Sequence, residues 1–263
     1  MPTQSSCIDA FVACCDAVAN GVLITRANRQ DKEFHFQNWL DLRLTDAGLL
    51  HDPSGRNTYP DFTLVDYPEG YEVKGLAWPG RAADYDSNSR IPSGFHNGRA
   101  VFYVFGRYPA DAAENEYPVI DLVVCHGDFL NADHTYVHEN KSFRGFGSYG
   151  DIMVRDRKMY VAPTPFALIQ GTTGQLTLVV PSAWIVPDER IEQVGELTRV
   201  EADHLVVSYN FDLRINALVP QLAPNPSAGR EHTFTAYRRK GVGHGIVTML
   251  PQTHVVEQLS GED

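Results

Sequence analysis

The apolar pattern changes period at Pro60, and that change limits what this chain can build. Before it, residues 8–25 (IDAFVACCDAVANGVLIT) carry apolar side chains at helical spacing. Residues 29–46 (RQDKEFHFQNWLDLRLTD) do the same, with Phe36, Leu40 and Leu44 at four-residue intervals on one stripe. Gly48 and the segment HDPSGRNTYP then break the chain into a loop. After Pro60 the period moves toward two. DFTLVD and YEVKGLAW read as strands around a turn near Asp66 to Gly70. AVFYVFGRY (100–108) and PVIDLVVCH (118–126) are rich in Val, Ile, Phe and Tyr, as strands are. MYVAP, QLTLVVPSAWIV, HLVVSYNFDL and HTFTAYR follow as later strand candidates. Helices first and a β-rich body after them predict an α/β (α+β) domain with a central mixed β-sheet flanked by helices. Residues 160–263 either extend that sheet or form a second small β unit.

At 263 residues the chain is expected to form one domain, with a core over about residues 8–160 and a β-rich extension over about 160–263. No apolar run approaches the ~20 residues that span a bilayer, so no membrane partner is expected. Met1 to Asp9 lacks the basic and then apolar regions of a secretory signal, which points to a cytoplasmic protein. Cys7, Cys14, Cys15 and Cys125 include no Cys-x-x-Cys pair, so they read as buried reduced thiols and not as a structural zinc site. The net charge of −11 counts against nucleic-acid binding in general. Charge is uneven along the chain, however. Lys141, Arg144, Arg155, Arg157 and Lys158 face only Asp151 and Asp156 in their segment, and Arg230 to His244 holds three Arg and one Lys against Glu231. Phosphate contact needs a local positive surface, not a positive total.

The residues with the clearest chemistry are Asp61, Glu72 and Lys74. On a strand, positions 72 and 74 point to one face and Tyr71 and Val73 to the other. Two carboxylates set together bind a hard divalent cation through oxygen, and Mg2+ uses one or two carboxylates plus waters and a substrate phosphate. A neighbouring lysine can orient a water or stabilise developing negative charge. Spacing leaves two arrangements. With the hairpin tip at Asp66-Tyr67, Asp61 sits across from Glu72, Cβ atoms about 5 Å apart. With the tip at Tyr67-Pro68-Glu69-Gly70, Asp61 faces Leu76, about 13 Å along the strand from Glu72. Pro68 and Gly70 are the better turn residues and favour the second.

Pro60-Asp61, ten residues, then Glu72-Val73-Lys74 resembles the PD-(D/E)xK nuclease superfamily, and the chain as a whole resembles its type II restriction endonucleases. The motif covers residues 60–74; size, the upstream helix and the following strands agree with that family's restriction-endonuclease-like core. The resemblance implies Asp61 and Glu72 as metal ligands, Lys74 as the catalytic lysine and Mg2+ as cofactor. It also implies hydrolysis of phosphodiester bonds in double-stranded DNA to leave 5′-phosphates. Such enzymes often carry an acid on the preceding helix, for which Glu33 is the candidate, with Gln37 one turn on. Cutting both strands of a symmetric site calls for a homodimer. A repair or recombination nuclease of the same superfamily, and a non-catalytic β-rich binding protein with 60–74 as an ordinary hairpin, are the alternatives.

Past the motif, GLAWPGRAADYDSNSRIPSGFHNGRA supplies Arg81, Arg90, His96, Asn97 and Arg99 as candidate DNA contacts, since Arg and Asn read base edges and hold phosphates. Lys141 and Arg144, interleaved with aromatics, suit a phosphate-binding loop, and Arg238-Arg239-Lys240 is a weaker candidate. His134 and His138, with His126 and Asp128, form a rival zinc arrangement, but His-Glu-x-x-His is absent. No phosphate-binding Gly-x-x-x-x-Gly-Lys-Ser/Thr loop, strand-linked Gly-x-Gly-x-x-Gly or Gly-x-Ser-x-Gly elbow occurs, so no nucleotide cofactor and no serine hydrolase chemistry are expected.

Overall fold

A computed structural model describes residues 6–27, 34–52, 58–80, 83–87, 91–110, 115–132, 149, 152–156, 159–170, 175–184, 187–215, 217–242 and 248–249. Two helices open the chain, α1 (Cys7–Ala19) and α2 (His35–Asp46), with the short strand β1 (Ile24–Thr25) between them. Strands β2 (His51–Asp52), β3 (Phe62–Leu64), β4 (Glu69–Trp78), β5 (Asp84–Asp86), β6 (Phe95–His96), β7 (Arg99–Pro109), β8 (Glu116–Tyr117) and β9 (Asp121–His126) follow. After a 3-10 turn at Gly127–Phe129 come β10 (Met153–Asp156), β11 (Met159–Pro163), the helical turn α3 (Pro165–Leu168), β12 (Ile169–Gln170) and β13 (Leu176–Pro181). Strands β14 (Ile191–Val200), β15 (His204–Asp212), β16 (Ala217–Pro224), β17 (Glu231–Arg239) and β18 (Thr248–Met249) complete it.

The fold is mixed α and β, rich in strands, around a nine-stranded sheet in the order β14-β17-β13-β9-β7-β4-β3-β2, with β6 on one end of β7. Pairing is parallel for β4 with β7 and for β9 with β13, and antiparallel elsewhere, so the sheet is mixed as expected. Strands β13, β14 and β17 show that much of the C-terminal half extends this sheet, while β15 and β16 pair only with each other among the described residues.

Each face of the sheet buries its own apolar layer. Tyr71, Phe102, Val104, Leu122, Val124 and Leu178 point toward α1 and α2. Their strand neighbours Val101, Tyr103, Phe105, Val123, Cys125 and Val179 point the other way, against Tyr85, Phe129, Ile152, Ala162 and Phe166. Helix α2 lies close on the first face because Gly75 and Gly106, side by side in the β4–β7 ladder, leave room for Phe36. Arg107 and Asp121, both buried, join β7 to β9 at 2.7 Å, and Asp121 also accepts the Gln175 N–H that leads into β13.

Helix boundaries differ from the sequence reading. Helix α1 stops at Ala19, ahead of Gly21 with φ +70°, and Ile24-Thr25 pairs as a strand with Glu116-Tyr117. Helix α2 is described from His35, and residues 28–33 lie outside the described set. All four cysteines are buried free thiols, and no described helix is long and apolar enough to cross a membrane.

Candidate active site

Which arrangement the 60–74 hairpin takes is decided by its register. Phe62 pairs with Tyr71 and Thr63 with Gly70, so a ladder continued by one step would set Asp61, just ahead of β3, opposite Glu72. The turn is Val65 to Pro68, and Gly70 lies inside β4. Its role there is spacing. A Cβ at Gly70 would collide with the Pro60 ring and the Phe62 carbonyl, so glycine is what lets the Pro60 end of β3 lie against β4. The preference of glycine for turns, which favoured the longer reach to Leu76, is overridden by this close approach.

Asp61 completes the convergence through the backbone. Its Oδ2 accepts the Val73 N–H at 2.8 Å, where β3 has ended and β4 continues. Lys74 Nζ donates to Glu72 Oε1 at 2.6 Å. Both side chains are largely buried, at 18% and 12% exposure. Glu72 Oε2 is buried and has no hydrogen-bond partner among the described residues. Burial pushes the Asp61 carboxyl up to about 7, and the Glu72 carboxylate adds to the rise; the Val73 N–H and Lys74 oppose it. Asp61, whose charged form burial disfavours, and Glu72, with an idle oxygen, are a donor set that a divalent cation would suit. Among the described residues no group of three or more His, Cys, Asp or Glu side chains could hold a metal; Asp61 and Glu72 offer two carboxylates. That number suits Mg2+, which keeps several waters.

A tyrosine wall stands beside it. Tyr103 is the ladder partner of Glu72 on β7 and is buried; its hydroxyl meets that of Tyr59 at 2.8 Å, and its ring lies near that of Tyr85. Burial, with Tyr59, Tyr85 and Glu72 beside it, holds the Tyr103 phenol well above its ordinary value. Sequence reasoning missed these tyrosines because a parallel pairing thirty residues apart leaves no local signal.

The remaining candidates divide. Glu33, Arg81, Arg90, Lys141 and Arg144 lie outside the described residues, as do His134 and His138. The helix that follows Glu33 packs on the sheet face opposite Glu72 and Lys74, with Gln37 buried in it. His96 is brought toward the site, its ring 5.0 Å from that of Tyr59. Asn97 (φ 49°) and Gly98 (φ 76°) make the two-residue turn between β6 and β7, a turn that needs left-handed residues at both places. Arg99 Nη1 donates to the carbonyls of Leu64 and Tyr67, at 2.7 and 2.9 Å, and so fastens the turn of the 60–74 hairpin. The basic run on β17 is engaged in ion pairs, Arg238 with Glu192 and Arg239 with Asp16. His126 is buried among the rings of Phe95, Phe102 and Trp184, and that burial pushes its pKa down to about 3.

Comparison of the chain with protein-family models, with curated proteins and with solved structures finds no match.

Proposed function

We propose that this protein is a Mg2+-dependent endonuclease that hydrolyses phosphodiester bonds in double-stranded DNA, with Asp61 and Glu72 as metal ligands and Lys74 as the catalytic lysine. One observation supports this reading above the rest. The Asp61 carboxylate is bonded to the backbone N–H of Val73, the residue between Glu72 and Lys74, close enough to Glu72 to feel its charge. An ordinary surface hairpin would leave these charges solvated, whereas here burial raises the Asp61 pKa.

Asp61 and Glu72 would hold the ion through their carboxylate oxygens. When bound, Mg2+ would supply positive charge for the scissile phosphate and make water a better nucleophile. Lys74, held against Glu72, is placed to orient the attacking water or to stabilise charge developing on the phosphate. Sequence-specific cleavage as a type II restriction enzyme, by a homodimer, is the form of this activity that we favour on the motif resemblance.

Supercoiled plasmid incubated with the protein and Mg2+ tests the reading. Discrete linear fragments are expected, and Asp61→Ala and Lys74→Ala should each abolish them while far-UV circular dichroism is unchanged. Cleavage by both variants at the wild-type rate would refute the site. Absence of cleavage with any divalent ion, on plasmid or on branched DNA, would refute the nuclease reading.

A further inference from the structure

Asp61 lies just ahead of β3, which begins at Phe62, so the strand ladder does not hold it. A carboxylate placed outside a strand needs supports of its own if it is to stay beside a second one. The Val73 N–H, which donates to Asp61, is one support. Pro60, buried with its ring against Gly70 of β4, is another. Tyr59, two residues ahead of Asp61, reaches further across the sheet.

The Tyr59 hydroxyl meets that of Tyr103 at 2.8 Å. Tyr103 belongs to β7, and β4 lies between β3 and β7 in the sheet. The bond therefore bridges the strand that carries Glu72, and it ends on the ladder partner of Glu72 itself. Tyr103 is a firm anchor. It is 1% exposed, and its ring stacks on that of Phe105 at 6.2 Å. On the other side the His96 ring of β6 stands edge-on to Tyr59 at 5.0 Å.

Arg99 and Tyr103 are four residues apart on β7 and so share a face of the sheet. Arg99 fastens the 60–74 hairpin at its turn, through the Leu64 and Tyr67 carbonyls. Tyr103 fastens the open end, through Tyr59. The open end is where Asp61 and Glu72 come together.

We propose that Tyr59 is a positioning residue: its bond to Tyr103 holds the Asp61 carboxylate beside Glu72 at the spacing a divalent cation takes. The role is one of placement, not of ligation. With the bond broken, the segment ahead of β3 is free to move away from β7, and an incoming ion has to order Asp61 as it binds. That ordering is a cost which a preorganised site avoids. The expected loss is about tenfold in metal affinity, the lower end of what residues supporting metal ligands contribute. The proposal rests on the metal reading of Asp61 and Glu72 and not on DNA cleavage.

Mn2+ binding to the full chain without DNA, followed by the electron paramagnetic resonance of the free ion, tests this; Mn2+ takes the oxygen ligands that Mg2+ takes. Tyr59→Phe keeps the ring and loses the bond, and should bind about tenfold more weakly than the wild type. Tyr103→Phe breaks the same bond from the other side and should do the same. The double variant should be no weaker than either single one, because all three lose one bond. Phe234→Leu changes the core at β17, with β13, β9 and β7 between it and β4. It should lower the urea midpoint and leave the Mn2+ affinity in place. Either folded tyrosine variant binding as the wild type does overturns the proposal, and so do losses that add in the double variant or an equal loss in Phe234→Leu. A wild type that binds no Mn2+, or Asp61→Asn that binds it as tightly, refutes the metal reading and this proposal with it. Mn2+ binding without cleavage of DNA refutes the nuclease reading alone.

Discussion

Replacing Asp61 by Asn should make the protein more stable at pH 8. Burial, and after it the Glu72 carboxylate, raises this carboxyl from 3.8 to about 7. Between those values the folded chain holds a proton that the unfolded chain has released. The stabilisation is therefore fully present below the unfolded pKa and is lost as the pH rises through about 7. A rise of about 3 units at ~1.36 kcal/mol each sets a ceiling of about 4 kcal/mol. Asp61 keeps some solvent contact, which screens the charge, and about 2 kcal/mol is the expected effect. Asparagine removes the charge and retains an oxygen to accept the Val73 N–H. Urea unfolding at pH 5 and pH 8, with chelator present, measures the difference. The wild type should lose about 1 kcal/mol across that interval, the rest of the loss lying below pH 5, and the variant much less. Adding Mg2+ at pH 8 should raise the wild-type midpoint and leave that of the variant in place. A variant no more stable than the wild type at pH 8 would show that the carboxylate is neither strained by burial nor set against Glu72.

Two further outcomes are expected. Gly106→Ala puts a methyl group into the Phe36 ring and should cost about 1–3 kcal/mol in urea unfolding, with Phe36→Leu recovering part of the loss in the double variant. Arg99→Ala frees the Leu64 and Tyr67 carbonyls and should slow cleavage about tenfold while leaving the salt dependence of DNA binding unchanged; a binding slope reduced by about one would mark Arg99 as a phosphate contact instead.

The sequence makes the strong periodic segments plain. Phe36, Leu40 and Leu44 do form the buried stripe of α2, and Arg99–Pro109 and Asp121–His126 are central strands. Strand β14 escapes notice because IEQVGELTRV mixes charged side chains through a half-exposed strand and carries a register shift between Gln193 and Gly195. At the site, the motif points to Asp61, Glu72 and Lys74, but local turn preference points to the wrong register. Gly70 is needed for its lack of a side chain against Pro60, and that need arises only once two strands are together. Tyr103, and the clamping role of Arg99, are hidden for the same reason. The one is a ladder partner of Glu72 and the other a clamp on a turn more than thirty residues earlier. Asn97 reads as a candidate DNA contact from sequence, and its positive φ beside Gly98 places it in a turn.

The bond from the Val73 amide to Asp61 also makes the site observable without any substrate. An amide proton held by a carboxylate resonates and exchanges differently from one held by a carboxylic acid, because the ionised acceptor pulls the proton more strongly. A titration followed at this single backbone resonance would report the ionisation of Asp61 directly. The same resonance would move when a cation takes charge density from the carboxylate. The nucleus to watch belongs to a main-chain nitrogen, so Glu72 and Lys74 can be replaced in turn while the reporting bond to Asp61 stays in place.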